Sequence, residues 1–198
     1  MATINLFGAS GHAKVIADII SAQGDNVGCL YDDSPHCMEI HGRPVLKADE
    51  SKIEGPLIIS IGSNRVRKFI SERYISEYAM AIHPSSVVSE HAVVGNGSVV
   101  MQGAVIQAET VIGKHCIINT GASVDHECEI GNYVHISPHA TLCGNVQVGE
   151  GSWIGAGATI IPGIKIGKWC TIGAGSVVIR DIPDFTTAVG NPCCRIIN

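Results

Sequence analysis

His126 stands between two carboxylates in the run Asp125-His126-Glu127-Cys128. A neutral imidazole takes up a proton near pH 7, and a neighbouring carboxylate orients the ring and stabilises the cation. Those are the parts of a general base. The same three residues on a solvated corner also make an ordinary surface histidine, so position alone does not assign the role. A second polar set lies in the first third of the chain. Gly8-Ala9-Ser10-Gly11-His12 follows one apolar run, Asp32-Asp33 another, and Gly62-Ser63-Asn64-Arg65 a third. Where a strand hands over to a helix, backbone N–H groups and the positive helix end suit a phosphate. Ligands of open parallel sheets sit beyond the carboxyl ends of the strands. Ser10, Gly11, His12, Asp32, Asp33, Gly62 and Arg65 are therefore candidate ligand contacts. A lone G-x-x-G is weak evidence, and Asp32-Asp33 alone serves equally well to cap a turn. Three polar strand ends together favour a site.

The elements that must position these residues fall into two parts. Ile4 to Phe7, Val27 to Tyr31 and Leu57 to Ile61 read as strands. Residues 12 to 23, with Val15, Ile16, Ile19 and Ile20 on one face, and about Arg65 to Tyr74 read as helices. This predicts a small α/β unit with a parallel sheet, abbreviated relative to a full Rossmann-like dinucleotide fold. Arg65, Arg67, Lys68 and Arg73 on the second helix read as a solvated basic face rather than a phosphate site. His83-Pro84 marks a passage out of helix with no long linker. The expected domains are 1–82 and 83–198, packed closely.

From Ile82 to Val178 every sixth residue is aliphatic, among them Ile106, Ile118, Ile130, Leu142, Ile154 and Ile166. The residue two before each is mostly small, although Val134, Val146 and Ile164 depart from that. Gly95, Gly113, Gly131, Gly149 and Gly167 recur at every eighteenth position, so three six-residue units make one turn of chain. Three short strands close a triangular coil with one aliphatic side chain per strand inside. Coils then stack at about 4.8 Å through backbone hydrogen bonds. Glycine at these positions is expected to supply the positive φ of a tight corner. The pattern stops after Val178, and 181–198 reads as an extended tail that closes the prism end.

The 45% hydrophobic and 5% aromatic content suits an aliphatic-cored repeat, and the net charge of −5 gives no reason to expect nucleic acid or an anionic membrane as partner. No apolar run approaches the roughly 20 residues of a membrane span, and no basic-plus-apolar leader precedes the first strand. A cytoplasmic location is expected. The eight cysteines form no C-x-x-C pair. Cys116, Cys128 and Cys170 occupy small inward slots, where a thiol behaves as a small hydrophobe, and adjacent Cys193-Cys194 would be strained as a bridge. Reduced thiols and no metal are expected.

The repeat resembles the hexapeptide-repeat acyltransferases, which implies a left-handed parallel β-helix. The whole chain resembles the sugar O- and N-acetyltransferases typified by bacterial sialic acid O-acetyltransferase and UDP-4-amino-sugar N-acetyltransferase. The resemblance rests on G-A-S-G-H at 8–12, Asp32-Asp33, I-G-S-N at 61–64, Asn119-Thr120, D-H-E-C at 125–128, Cys143-Gly144-Asn145 and V-G-N-P at 189–192. It implies transfer from acetyl-CoA to an amine on a nucleotide-linked amino-dideoxy sugar of the UDP-4-amino-4,6-dideoxy-N-acetylhexosamine type. By that resemblance His126 is the general base, Glu127 holds its ring, and the Gly144 N–H supports the oxyanion. Asn119, His135, Gly144, Ala156 and Ala174 then contact acetyl-CoA. Ser10, Gly11, His12, Asp32, Asp33, Gly62 and Arg65 contact the nucleotide sugar, and the chain is a homotrimer with cofactor grooves between prisms. Two features depart from the pattern: Cys193-Cys194 replaces the usual Ala-Lys, and Arg65 differs in type from the acidic residue of one relative.

Three other readings stand beside this one. A hydroxyl acceptor, as in sialic acid O-acetylation, would use the same base without a nucleotide pocket, and a GDP-linked acceptor is a variant of the first reading. A zinc carbonic anhydrase on the same helix would need a histidine spacing that His83, His91, His115, His126, His135 and His139 do not match. A non-catalytic solenoid scaffold would bind no acetyl-CoA.

Overall fold

The computed structural model describes residues 1–49, 53, 55–74 and 76–195. The front part begins with β1 (Thr3–Phe7), α1 (Gly11–Ala22) and β2 (Asn26–Asp32). A hairpin of β3 (Glu39–Ile40) and β4 (Arg43–Lys47) follows, then β5 (Leu57–Ile59) and α2 (Asn64–Arg73). The sheet order is β3-β4-β2-β1-β5, parallel except for the β3–β4 pair. β1 therefore has the chain's next strand on one side and β5 on the other. The Gly8–His12 turn lies at this reversal of strand order, where α/β sheets place ligands.

The third strand stops at Ile59, two residues short of expectation, because Ser60 turns inward. Its buried hydroxyl lies 3.0 Å from the Phe7 carbonyl and 2.7 Å from that of Gly8, tying the ends of β1 and β5 together. The β3–β4 hairpin was not expected. Its turn is His41-Gly42, with φ of 50° and 71°, the all-positive pattern that matches strand twist in a two-residue loop. Pro44 and the basic residues of 43–47 hid it, since proline demotes a strand reading.

The second part is a three-sided column of two-residue rungs, and every rung pairs in parallel with one eighteen residues away. The first face carries Ala81–Ile82, Val99–Val100, Ile117–Ile118, His135–Ile136, Trp153–Ile154 and Thr171–Ile172. The second runs from Val87–Val88 to Val177–Val178, and the third from Val93–Val94 to Lys165–Ile166. The second residue of each rung faces inward, so Val100, Ile118, Ile136, Ile154 and Ile172 form one buried ladder. Full burial of such a side chain is worth about 1.5–3 kcal/mol. Cys116, Cys128 and Cys170 are buried in their small slots, and all eight cysteines are free.

The eighteen-residue glycines do not serve the purpose expected of them, since none of them has positive φ. They are small because coils meet there: a Cβ on Gly95 would lie 2.7 Å from the Gly113 carbonyl carbon, and one on Gly149 2.6 Å from that of Gly167. The left-handed corner residues come two positions later, at Gly97, His115, Tyr133, Gly151 and Trp169, with φ between 54° and 79°. The repeat also runs on past Val178. Ile182 bridges to Ile166, and Thr187–Val189 pairs with the Thr171 rung before Cys194–Arg195 returns antiparallel. Residues 196–198 of the expected tail lie outside the described residues.

The front part packs on the first face. Ile4, Ile16, Ile20 and Ile58 share a core with Ala81, Val99, Met101 and Ile117. Among the described residues no helix is long and apolar enough to cross a membrane.

Candidate active site

The corners of the column explain how its polar residues are grouped. His126 sits at the corner between the second and third faces, the edge opposite the front part. Its ring Nδ1 lies 3.0 Å from Glu127 Oε2, and its backbone N–H donates to Asp125 Oδ1 at 2.8 Å. Glu127 is thus the carboxylate that holds the ring, leaving Nε2 directed away from it. Both side chains are open to solvent, at 57% and 64%. Gly144 lies directly beneath in the next coil, and the Asn145 N–H bonds the His126 carbonyl at 2.9 Å. A Cβ at Gly144 would meet the ring Cε1 at 2.5 Å and Nε2 at 2.6 Å, so the imidazole rests on the glycine backbone. The Gly144 N–H makes no hydrogen bond to a described residue. His126, Glu127 and Gly144, the expected base, orienting carboxylate and oxyanion donor, therefore lie together.

Asn119 and His135 meet on the first face, with Asn119 Nδ2 3.0 Å from His135 Nε2. The amide orientation follows from the other end of Asn119, whose Oδ1 accepts the Thr120 N–H at 2.8 Å. Nδ2 then donates to Nε2, and the imidazole proton sits on Nδ1. Burial pushes the His135 pKa down to about 3, with the nearby Arg67 and His12 adding to the effect. His135 is a neutral ring. Ala156 and Ala174 stack one coil apart at the exposed corner between the first and second faces, with the Gly175 N–H on the Ala156 carbonyl at 2.8 Å.

The front-part residues gather at the carboxyl edge of the sheet. Gly8 adopts φ of 109°, and a Cβ there would meet Ile61 Cγ1 at 2.7 Å, so the turn requires glycine. Gly11 and Gly62 are different. Neither has positive φ, and a Cβ at either would meet no atom within 4 Å. Among the described residues nothing calls for glycine at those two positions. Ser10 is the N-cap of α1 but makes no side-chain capping bond. His12 is largely buried, its Nε2 has no hydrogen-bond partner among the described residues, and burial followed by Arg67 lowers its pKa to about 4. Asp32 holds the turn, its Oδ2 taking the Ala9 N–H at 2.9 Å and its Oδ1 the Ser34 N–H at 2.8 Å. Asp33 faces α2, 3.4 Å from Arg73 and 3.3 Å from the Tyr74 hydroxyl.

A pocket of about 470 Å³ opens between this edge and the first face, with Gly62, Ser63, Asn64 and Arg65 on one wall and His135, Trp153, Trp169 and Thr171 on the other. The two tryptophans were not anticipated. Trp153 is 51% exposed, donates Nε1–H to Ser137 Oγ at 2.7 Å, and lies parallel to the His135 ring with centroids 5.9 Å apart. The Arg65 guanidinium sits 5.0 Å over the Trp169 ring. The signal was present in the sequence: Trp153 precedes inward Ile154, so it occupies an outward slot in an aromatic-poor chain. The solvated basic face expected of α2 needs correcting at one position. Arg67 is 1% exposed, because its guanidinium fills the seam between the two parts rather than facing water. Among the described residues no group of three or more His, Cys, Asp or Glu side chains is placed to hold a metal.

Residues 3–74 match the PglD N-terminal domain family, and residues 109–144 and 145–180 match the bacterial transferase hexapeptide family of six repeats. The acetyltransferase domain of PglB from Neisseria gonorrhoeae FA1090 superposes with a TM-score of 0.89 at 36% identity, over 98% of this chain and 99% of that one. The chain belongs to the hexapeptide-repeat sugar acetyltransferases. PerB from Caulobacter crescentus, in complex with CoA and GDP-perosamine, superposes at 0.92 with 38% identity over 98% of this chain and 97% of that one. These likenesses make the column the left-handed parallel β-helix expected. UDP-N-acetylbacillosamine N-acetyltransferase from Bacillus subtilis strain 168 is 44% identical over 112 residues. That alignment covers 51% of this chain and 52% of the relative, so the chain matches about half the length of this curated relative.

Proposed function

We propose that this family member transfers the acetyl group of acetyl-CoA to the amine of a nucleotide-linked 4-amino-4,6-dideoxy sugar, with His126 as general base. The observation that carries the reading is the Nδ1–Glu127 contact, which aims His126 Nε2 across the Gly144 backbone. The amine nitrogen attacks the thioester carbonyl carbon and its proton passes to Nε2, a service worth about 10²–10⁴-fold. The carbonyl oxygen becomes an oxyanion beside the Gly144 N–H, where such a donor is worth a few kcal/mol. Collapse breaks the C–S bond, and the CoA sulfur leaves with the proton held on Nε2. No acyl-enzyme forms.

In this reading the nucleotide lies along the Gly8–His12 and Gly62–Arg65 turns, and the two glycines that packing does not require leave room for it. Acetyl-CoA runs past Asn119, His135, Ala156 and Ala174. His126 is on the edge of its own column opposite that pocket, so the reaction needs a second copy of the chain. A homotrimer with the His126 corner of one copy against the pocket of the next meets that need with a closed ring. UDP- and GDP-linked acceptors both occur in the names of relatives. The test is a panel of UDP- and GDP-linked amino sugars with acetyl-CoA, followed by free CoA thiol. Release with a 4-amino nucleotide sugar and none with sialic acid is expected. The reverse pattern assigns a hydroxyl acceptor, and release with neither contradicts the reading.

A further inference from the structure

Arg67 is a cation sealed in the seam between the front part and the column, and no anion pairs with it among the described residues. An unpaired buried charge costs several kcal/mol unless its hydrogen bonds are met. Here all of them are met. A guanidinium has five N–H donors in a rigid fork, and five acceptors surround this one. Nε donates to the His115 carbonyl at 2.7 Å, and Nη1 to the Ile61 and Gly62 carbonyls at 2.9 and 3.2 Å. Nη2 donates to Asn64 Oδ1 and the Tyr133 carbonyl, both at 2.9 Å. Burial brings its pKa down to about 10, which leaves it charged at neutral pH.

The acceptors come from two bodies. Ile61 and Gly62 form the front part's turn. His115 and Tyr133 are left-handed corner residues of successive coils, with φ of 55° and 60°. Their carbonyls bond Arg67, while the ladder bonds at that corner use Asn96, Lys114 and Asn132. Asn64, itself held by Arg67, extends the grip to a third coil through the Gly151 and Ser152 carbonyls at 3.0 and 3.2 Å. One fork thus fixes the Gly62 turn against three coils of the wall that carries His135 and Trp153. Those are the two sides of the 470 Å³ pocket.

We propose that Arg67 is a positioning residue: it sets the gap between the Gly62 turn and the column wall, and so holds the acceptor sugar in register with the acyl donor. This rests on the pocket receiving the nucleotide sugar. Lysine keeps the charge but offers three donors from a single nitrogen, so it cannot reach both bodies with the same geometry. A misplacement near 1 Å costs about 10²-fold in a positioned reaction.

The test compares wild type, Arg67→Lys and Arg67→Met by steady-state kinetics with each substrate varied, after circular dichroism and light scattering have established fold and assembly. Expected is a fall in kcat/KM for the nucleotide sugar of about tenfold in Arg67→Lys and about a hundredfold in Arg67→Met. KM for acetyl-CoA stays within about twofold of wild type, which a general loss of folded enzyme would not produce. If Arg67→Met does not fold, the lysine variant decides. Wild-type kcat/KM in a folded Arg67→Lys overturns the positioning role, as does failure of both variants to fold, which would make Arg67 a stability staple only. Inactivity of the wild type with every nucleotide amino sugar would instead count against the proposed function.

Discussion

Gly144→Ala puts one methyl group where the His126 ring now rests. The added carbon would lie 2.5 Å from Cε1 and 2.6 Å from Nε2, against about 3.5–4.0 Å for carbon contacts at their optimum. The ring has to withdraw by about 1 Å. Among the described residues its only side-chain hold is the 3.0 Å contact to Glu127, between two groups more than half exposed. Such a pair is worth at most about 1 kcal/mol, so the ring yields before the backbone does. Gly144 does not need positive φ, so alanine brings no backbone strain. Stability should therefore change by about 1 kcal/mol or less. Catalysis should fall about 10²-fold, because a displaced base is close to an absent one. The assay is CoA thiol release with the nucleotide amino sugar that the wild type prefers, beside a thermal melt. Wild-type kcat in folded Gly144→Ala would refute the claim that the imidazole works from above that glycine.

Three further outcomes are expected. Trp153 and Trp169, the chain's two tryptophans, both line the pocket, so saturating nucleotide should change the intrinsic fluorescence, and Trp169→Phe should lower the amplitude; an unchanged spectrum at saturation places the nucleotide elsewhere. Ile136→Ala, in the fully buried ladder, should cost about 2–5 kcal/mol in chemical denaturation, and a loss under about 1 kcal/mol would contradict the tight coil packing. His12, His115 and His135 are depressed to about 4, 4 and 3 by burial first and Arg67 second. Their unfolded forms bind protons from about pH 6.5 downward while the folded forms do not. Stability should hold above pH 6.5 and fall as the pH drops toward 4, by up to about 1.4 kcal/mol per pH unit per histidine. A flat denaturation midpoint between pH 7 and 4.5 would contradict this.

The column was the most legible part because period-six aliphatics mark the inward positions of a stacked coil, its hand coming from the resemblance alone, and Cys116, Cys128 and Cys170 lie in the slots their spacing assigned. The role of the recurring glycines was misjudged: close approach of coils and positive φ both select glycine, and spacing does not separate them. His126 could be placed on a corner from the residues alone, and its company with Gly144 follows from the eighteen-residue stacking. The pocket was harder to read. Trp153, Trp169 and Asn64 line one pocket only because α2 packs against the corner that carries His115, Tyr133 and Trp169, a long-range fact absent from local pattern. Arg67 sits in a run of basic residues whose composition suggests solvent, yet the outward carbonyls of His115 and Tyr133 draw it inside. The β3–β4 hairpin was lost to proline and charge in the same way.

The base assignment is tested most directly by kcat/KM for amine acetylation as a function of pH, in wild type and in folded, correctly assembled His126→Ala. The account predicts a loss of about 10²–10⁴-fold in the variant across the pH range. Turnover within a few-fold of wild type, with the same pH profile, would show that the amine's proton leaves by another route.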